Sequence, residues 1–189
     1  MDTALIVSGS EKGAQPLKEL LLQSSFSDIH CVCGAGEAGR LLCNREYDLC
    51  LVNTPLTDEF GSRFATEIAA QGSTQILLLV KCELYDEVTN QVENCGVFTL
   101  AKPLNRQLFW SALKLVTASY NRLKGLASQN IDLQKKIEEI RLVDRAKCML
   151  MQCLTMSEEQ AHKYIERQAM DQRKTKKEVA TAVLHTYDS

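Results

Sequence analysis

Residues 137–183 read IEEIRLVDRAKCMLMQCLTMSEEQAHKYIERQAMDQRKTKKEVATAV. Three amphipathic helical blocks lie back to back in this run. Ser157 followed by Glu158-Glu159-Gln160 is an N-cap with Gln160 at the capping-box position, which predicts a helix over 158–171. Thr175-Lys176-Lys177-Glu178 repeats that pattern and predicts a third helix reaching residue 185. Ala161, Ile165 and Ala169 run down one side of the second block, and Val179, Ala180 and Val183 down one side of the third. Those are core spacings, and Leu150, Met151 and Leu154 of the first block supply the facing side. A module this small has a thin core.

With the core assigned, Arg145, Lys147, Lys163, Tyr164, Arg167, Gln168, Arg173 and Lys174 remain as polar groups. Cations serve phosphates, and a Tyr or Arg plane stacks an unpaired base. Spacing alone favours a plainer reading. Lys163 and Arg167 are four apart on a helix that also holds Glu159 and Glu166, the usual signature of a solvated face. Tyr164 is equally consistent with half-buried packing.

The residues Leu142-Val143-Asp144-Arg145-Ala146-Lys147, Leu150-Met151, Ser157-Glu158-Glu159-Gln160-Ala161, Tyr164-Ile165, Gln168-Ala169-Met170 and Glu178-Val179-Ala180 together resemble the ANTAR family. That resemblance covers nearly the whole C-terminal third without a gap. It implies a three-helix module that binds RNA hairpins in transcription antitermination, with the eight polar residues above as RNA contacts. Hairpins in mRNA leaders are the implied partner, often in tandem pairs, which suits a dimer. One position departs: the family usually has Gly where this chain has Cys148, and modest repacking is expected there.

Outward from this module, a helical pattern runs from Pro103 to about Leu154, broken only by Gly125. From residue 123 its apolar positions alternate spacings of four and three. Leu123, Asn130 and Ile137 fall at heptad position a, and Leu126, Leu133 and Ile140 at d, the pattern of a coiled-coil homodimer. Asn130 at a is a device for fixing register and a parallel pairing. Lys136 at g meets Arg141 at the partner's e, which repels, and the seam is a little under three heptads. The alternative is a helix packed on its own domain with Asn130 exposed.

The first 118 residues alternate apolar runs (4–7, 29–32, 49–52, 76–80 and 97–100) with helical patterns near 11–24, 35–45, 59–71 and 84–94. This order predicts an α/β domain with a parallel sheet covered on both faces. YDLCLVNTPLTDEFG and TLAKPLN resemble the third strand and fifth strand of response-regulator receivers, so the resemblance implies a flavodoxin-like (βα)5 fold. The division expected is a receiver-like domain over 1–118, a coiled-coil linker helix over 119–140 and the ANTAR module over 141–189.

A receiver needs an aspartate nucleophile, an acidic pair for Mg²⁺, a sensing Thr or Ser and a lysine. Here the phosphoacceptor position is Asn53, the acidic pair is Ser8-Gly9, the sensing position is Val80 and the aromatic switch position is Thr99. Only Lys102 remains, followed by Pro103. An amide forms no acyl phosphate, and neither Ser8 nor Gly9 offers the anionic oxygens that Mg²⁺ favours. The expectation is a receiver fold without phosphotransfer, without a cofactor or metal, with Lys102 bonded to Asn53 or a strand-end carbonyl. Input would then come from another source, such as a sensor or partner protein.

Composition agrees with a globular protein: 45% hydrophobic and 24% charged over 189 residues. No apolar run approaches the roughly 18 residues of a membrane span and the N-terminus lacks a secretory pattern, so a cytoplasmic location is expected. Residues 131–189 hold 11 of the 22 basic and 10 of the 24 acidic residues, so RNA contact must come from one face or cluster. The densest is Arg173-Lys174-Thr175-Lys176-Lys177. The eight cysteines form no CxxC pair, and their apolar settings predict mostly buried thiols. Cys31 and Cys33 are expected on one strand face. With three histidines and neither a catalytic constellation nor a phosphate loop, an enzyme is not expected. Beside the RNA reading stands a dimeric scaffold whose C-terminal helices bind another regulator.

Overall fold

The computed structural model describes every residue except 25, 73, 188 and 189. Five parallel strands form the sheet: β1 (Thr3–Ser8), β2 (Asp28–Val32), β3 (Leu49–Asn53), β4 (Gln75–Lys81) and β5 (Val97–Lys102). Their order is β2-β1-β3-β4-β5, the doubly wound arrangement in which function collects at the C-terminal strand ends. Between them lie α1 (Glu11–Leu22), α2 (Ala35–Asn44), α3 (Ser62–Ala70) and α4 (Tyr85–Val92).

Strand periodicity explains why both faces are covered. Leu5, Val7, Cys50, Val52, Leu78 and Val80 point to one side, where Ala38, Phe64, Ala65, Ile68, Val88 and Val92 pack on them from α2, α3 and α4. Ala4, Ile6, Leu49, Leu51, Leu77 and Leu79 point to the other, against Leu17 and Leu21 of α1 and Phe109, Leu113 and Val116 of a fifth helix, α5 (Arg106–Leu154). Alternate residues of each apolar run therefore meet different helices.

Helix α5 runs unbroken from Arg106 to Leu154, followed by α6 (Glu158–Gln172) and α7 (Lys176–Tyr187). The chain forms two compact units, residues 1–123 and residues from Lys124 onward. Tyr120, near the end of the first unit, is bonded to Asp48 at the foot of the sheet. The seam residues Leu126, Leu133, Ile137 and Ile140 are all exposed, between 49% and 61%, as is Leu123, and Asn130 is exposed with them.

Two expectations change. Of the eight cysteines only Cys50 is buried, and burial pushes its thiol up to about 12. An apolar neighbourhood in sequence did not mean burial, because edge strands and helix outer faces leave alternate positions in water. Cys33 lies past the end of β2, so it does not share a strand with Cys31. Among the described residues no helix is long and apolar enough to cross a membrane.

Candidate functional site

The register of the central strands sets Ser8 beside Asn53 at the carboxyl edge of the sheet. Asn53 Nδ2 donates to Ser8 Oγ at 3.0 Å, and Ser8 Oγ donates to the Ser10 carbonyl at 3.1 Å. From the other side Lys102 Nζ donates to Asn53 Oδ1 at 3.0 Å and to the Thr54 carbonyl. Ser8 is 1% exposed, so the chain of bonds begins in the interior. Burial, with the nearby Lys81 charge second, pushes the Lys102 ammonium below its usual range. Val80 is fully buried on β4 among the apolar residues and contributes no polar atom.

The glycines around this cluster explain its tightness. A Cβ on Gly9 would stand 2.6 Å from the Pro55 carbonyl oxygen. A Cβ on Gly13 would stand 2.8 Å from Ser8 Oγ and 2.9 Å from Asn53 Nδ2. The loop after β3 is held in turn by Asp58, whose carboxylate accepts from Gly36 N at 2.9 Å and Ala35 N at 2.8 Å at the start of α2. Those two bonds hold Asp58 below the usual carboxylate range.

These residues do not fit the Mg²⁺ ion of a receiver. The donors are one hydroxyl and one amide, both already bonded, beside an ammonium. A hard dication needs anionic oxygens, and the second acid position has no room for a side chain.

The second unit builds its core from Ala146 and Leu150 of α5, Ala161, Ile165 and Ala169 of α6, and Val179, Ala180, Val183 and Leu184 of α7. Met151 and Leu154, expected in this core, are exposed. Leu142, Val143 and Met149 pack there instead. Helical periodicity turns Met151 about 100° away from Leu150, and the chain turns through Thr155 (φ 52°) directly after Leu154. Cys148 is exposed, so the helices need no repacking around it.

Both capping boxes form. Ser157 N donates to Gln160 Oε1 at 2.8 Å and Gln160 N to Ser157 Oγ at 3.3 Å. Thr175 N donates to Glu178 Oε2 at 2.8 Å and Glu178 N to Thr175 Oγ1 at 3.2 Å. Arg173 ends α6 in the left-handed conformation, with Lys174 N donating to the Ala169 carbonyl at 2.9 Å.

The eight polar candidates do not share one face. Lys147 is largely covered, 16% exposed, between Asp144 at 2.8 Å and Glu158 at 3.4 Å. The bond to Asp144 holds its ammonium above the usual range. Arg145 is exposed, two residues and therefore about 200° away on α5. Lys163 and Arg167 form one exposed stripe of α6, paired with Glu159 at 2.6 Å and Asp171 at 3.8 Å. Tyr164 and Gln168 form a second, half-buried stripe. Arg173 and Lys174 stand exposed in the turn before α7.

The end of a long helix and two short capped helices on an Ala-rich core match a known unit. Residues 132–184 match the ANTAR domain. That span takes in the last turns of α5 with α6 and α7. The transcriptional regulatory protein PdtaR of Mycobacterium tuberculosis is 28% identical over 170 residues, 90% of this chain and 83% of that protein. The nitrate regulatory protein of Klebsiella oxytoca is 35% identical over 86 residues, 46% of this chain and 21% of that protein. Ahead of the ANTAR domain, the first unit has the receiver fold. The signal receiver domain of an HD domain-containing protein from Pseudomonas fluorescens superposes with a TM-score of 0.58 at 25% identity, covering 66% of this chain and 92% of that one.

Tyr187 and Gln172 were not among the candidates read from sequence. Tyr187 extends the Val179–Val183 spacing by one further turn of α7, a signal that was available.

Proposed function

We propose that this protein binds hairpins in nascent mRNA and acts in transcription antitermination. It does so as a cytoplasmic homodimer paired along Leu123, Leu126, Asn130, Leu133, Ile137 and Ile140. Its parts on this reading are a receiver-like domain over 1–118, a linker helix over 119–140 and the RNA-binding module over 141–189. The observation that carries the reading is the match of residues 132–184 to the ANTAR domain. The receiver-like domain takes no phosphoryl group: Asn53, Ser8 and Gly9 lack the nucleophile and the metal acids, and Lys102 is engaged by Asn53. Its input is then a partner or sensor protein acting on the fold as it stands.

A gel shift against leader RNA with tandem small hairpins tests this. Binding should weaken as salt rises, because phosphate contacts release counterions. Arg167→Ala should weaken it at unchanged helicity.

A dimeric adaptor without RNA is favoured by one observation. Lys147, Lys163, Arg167 and Lys176 are all paired with carboxylates of their own module. Absence of binding to any such leader would select that reading.

A further inference from the structure

A groove of about 160 Å³ opens between α6 and α7. Tyr164 and Tyr187 border it, Gln168 and Gln172 stand along one wall, and Val179 and Val183 line its apolar part. Both tyrosines lean on the module core, and neither ring stacks on another aromatic side chain among the described residues. Gln172 Nε2 donates to Gln168 Oε1 at 2.7 Å. That single bond leaves the two N–H donors of Gln168 and the carbonyl of Gln172 available, a donor set beside an acceptor.

An aromatic-edged slot with an adjacent donor and acceptor has a narrow range of complements. The edges of nucleobases carry donors and acceptors side by side, and a Gln amide pairs with them bidentately. Base faces stack on tyrosine irrespective of identity. The rim sorts neutral from charged occupants. Glu178 borders the groove, its carboxylate accepting from Thr175 N at 2.8 Å and Thr175 Oγ1 at 2.9 Å, so its negative charge disfavours a phosphate in the interior. Lys174 stands at the same rim with no ion pair among the described residues, placed to hold a phosphate outside. The volume admits one planar ring and excludes a peptide helix.

We infer that this groove holds one unpaired base of the bound hairpin loop, with Tyr164 and Tyr187 stacking it and the Gln168–Gln172 pair reading its edge. This rests on the RNA-binding reading and adds the source of sequence preference to it. The ion-paired stripe of Lys163 and Arg167 would then serve backbone positioning only.

The full chain is incubated with a pool of stem-loop RNAs carrying randomised loops, and the retained RNAs are sequenced. Wild type should enrich one base identity at one loop position. Gln168→Ala should flatten that preference about tenfold, leaving helicity unchanged because its side chain is not part of the core. Tyr187→Leu should weaken binding of the enriched RNA about tenfold and abolish quenching of 2-aminopurine placed at that position, while Tyr187→Phe keeps both. Should Tyr187→Leu lose helicity, the Gln168→Ala result decides alone. Unchanged base preference in Gln168→Ala overturns the groove assignment and leaves RNA binding intact. Retention of no stem-loop by wild type overturns the RNA-binding reading and the groove with it.

Discussion

Lys102 and Asn53 are joined end to end at the carboxyl edge of the sheet, ammonium to amide oxygen at 3.0 Å. An amide and an ammonium complete each other without a net negative charge. The bonds continue on both sides: one Asn53 amide hydrogen goes to Ser8, and the lysine's other bond goes to the Thr54 carbonyl.

Acetyl phosphate with Mg²⁺ should therefore add no mass to the protein and leave its oligomeric state unchanged, read by intact mass and sedimentation. A hydroxylamine-sensitive adduct would refute this. Gly9→Asp, which restores an acid in sequence, should cost about 2 kcal/mol in urea unfolding, because its Cβ would stand 2.6 Å from the Pro55 carbonyl.

The bond from Tyr120 to Asp48 gives a pH dependence at both extremes. Burial of Asp48 raises its carboxyl, but bonds from Tyr120 and the Asp2 and Thr3 amides outweigh this and hold it lowered. Its stabilisation is present above the unfolded value of about 3.9 and is lost as pH falls through the folded value. The bond to Asp48 pushes Tyr120 up to about 12. Its contribution is full below its unfolded value of about 10 and disappears as pH rises through the folded one. Tyr120→Phe should lower stability at neutral pH by about 1 kcal/mol and flatten both limbs. Denaturant midpoints measured across pH check this, and an unchanged acid limb would count against it.

Arg173 sits at φ 52° in the position that closes α6. A non-glycine residue there is strained on the order of 1 kcal/mol. Arg173→Gly should raise thermal stability while weakening hairpin binding, since it removes strain and a cation together. A fall in both would show that the arginine side chain supports the fold.

The seam from Leu123 to Ile140 exposes its apolar residues in the single chain. Leu133→Lys should convert the proposed dimer to monomer in sedimentation equilibrium, and Asn130→Ile should strengthen association while relaxing register. A monomeric wild type at micromolar concentration would remove the seam from the proposal.

Local rules were enough for the parallel α/β order, the long helix and the two capped helices of the ANTAR domain. Period-two and period-3.6 patterning and capping boxes act over a few residues, so the chain carries them openly. That Ser8, Gly9 and Asn53 carry no carboxylate was equally plain, because residue type is read without any neighbour. The bond expected from Lys102 to Asn53 is present, but only the tertiary structure decided that Ser8 joins it in one hydrogen-bonded chain, since strand register brings Asn53 beside a residue 45 positions away. It alone exposed seven cysteines, turned Met151 and Leu154 out of the core and covered Lys147 with two carboxylates. Burial and pairing depend on which face meets which neighbour, and that is a property of the packed molecule rather than of any local run.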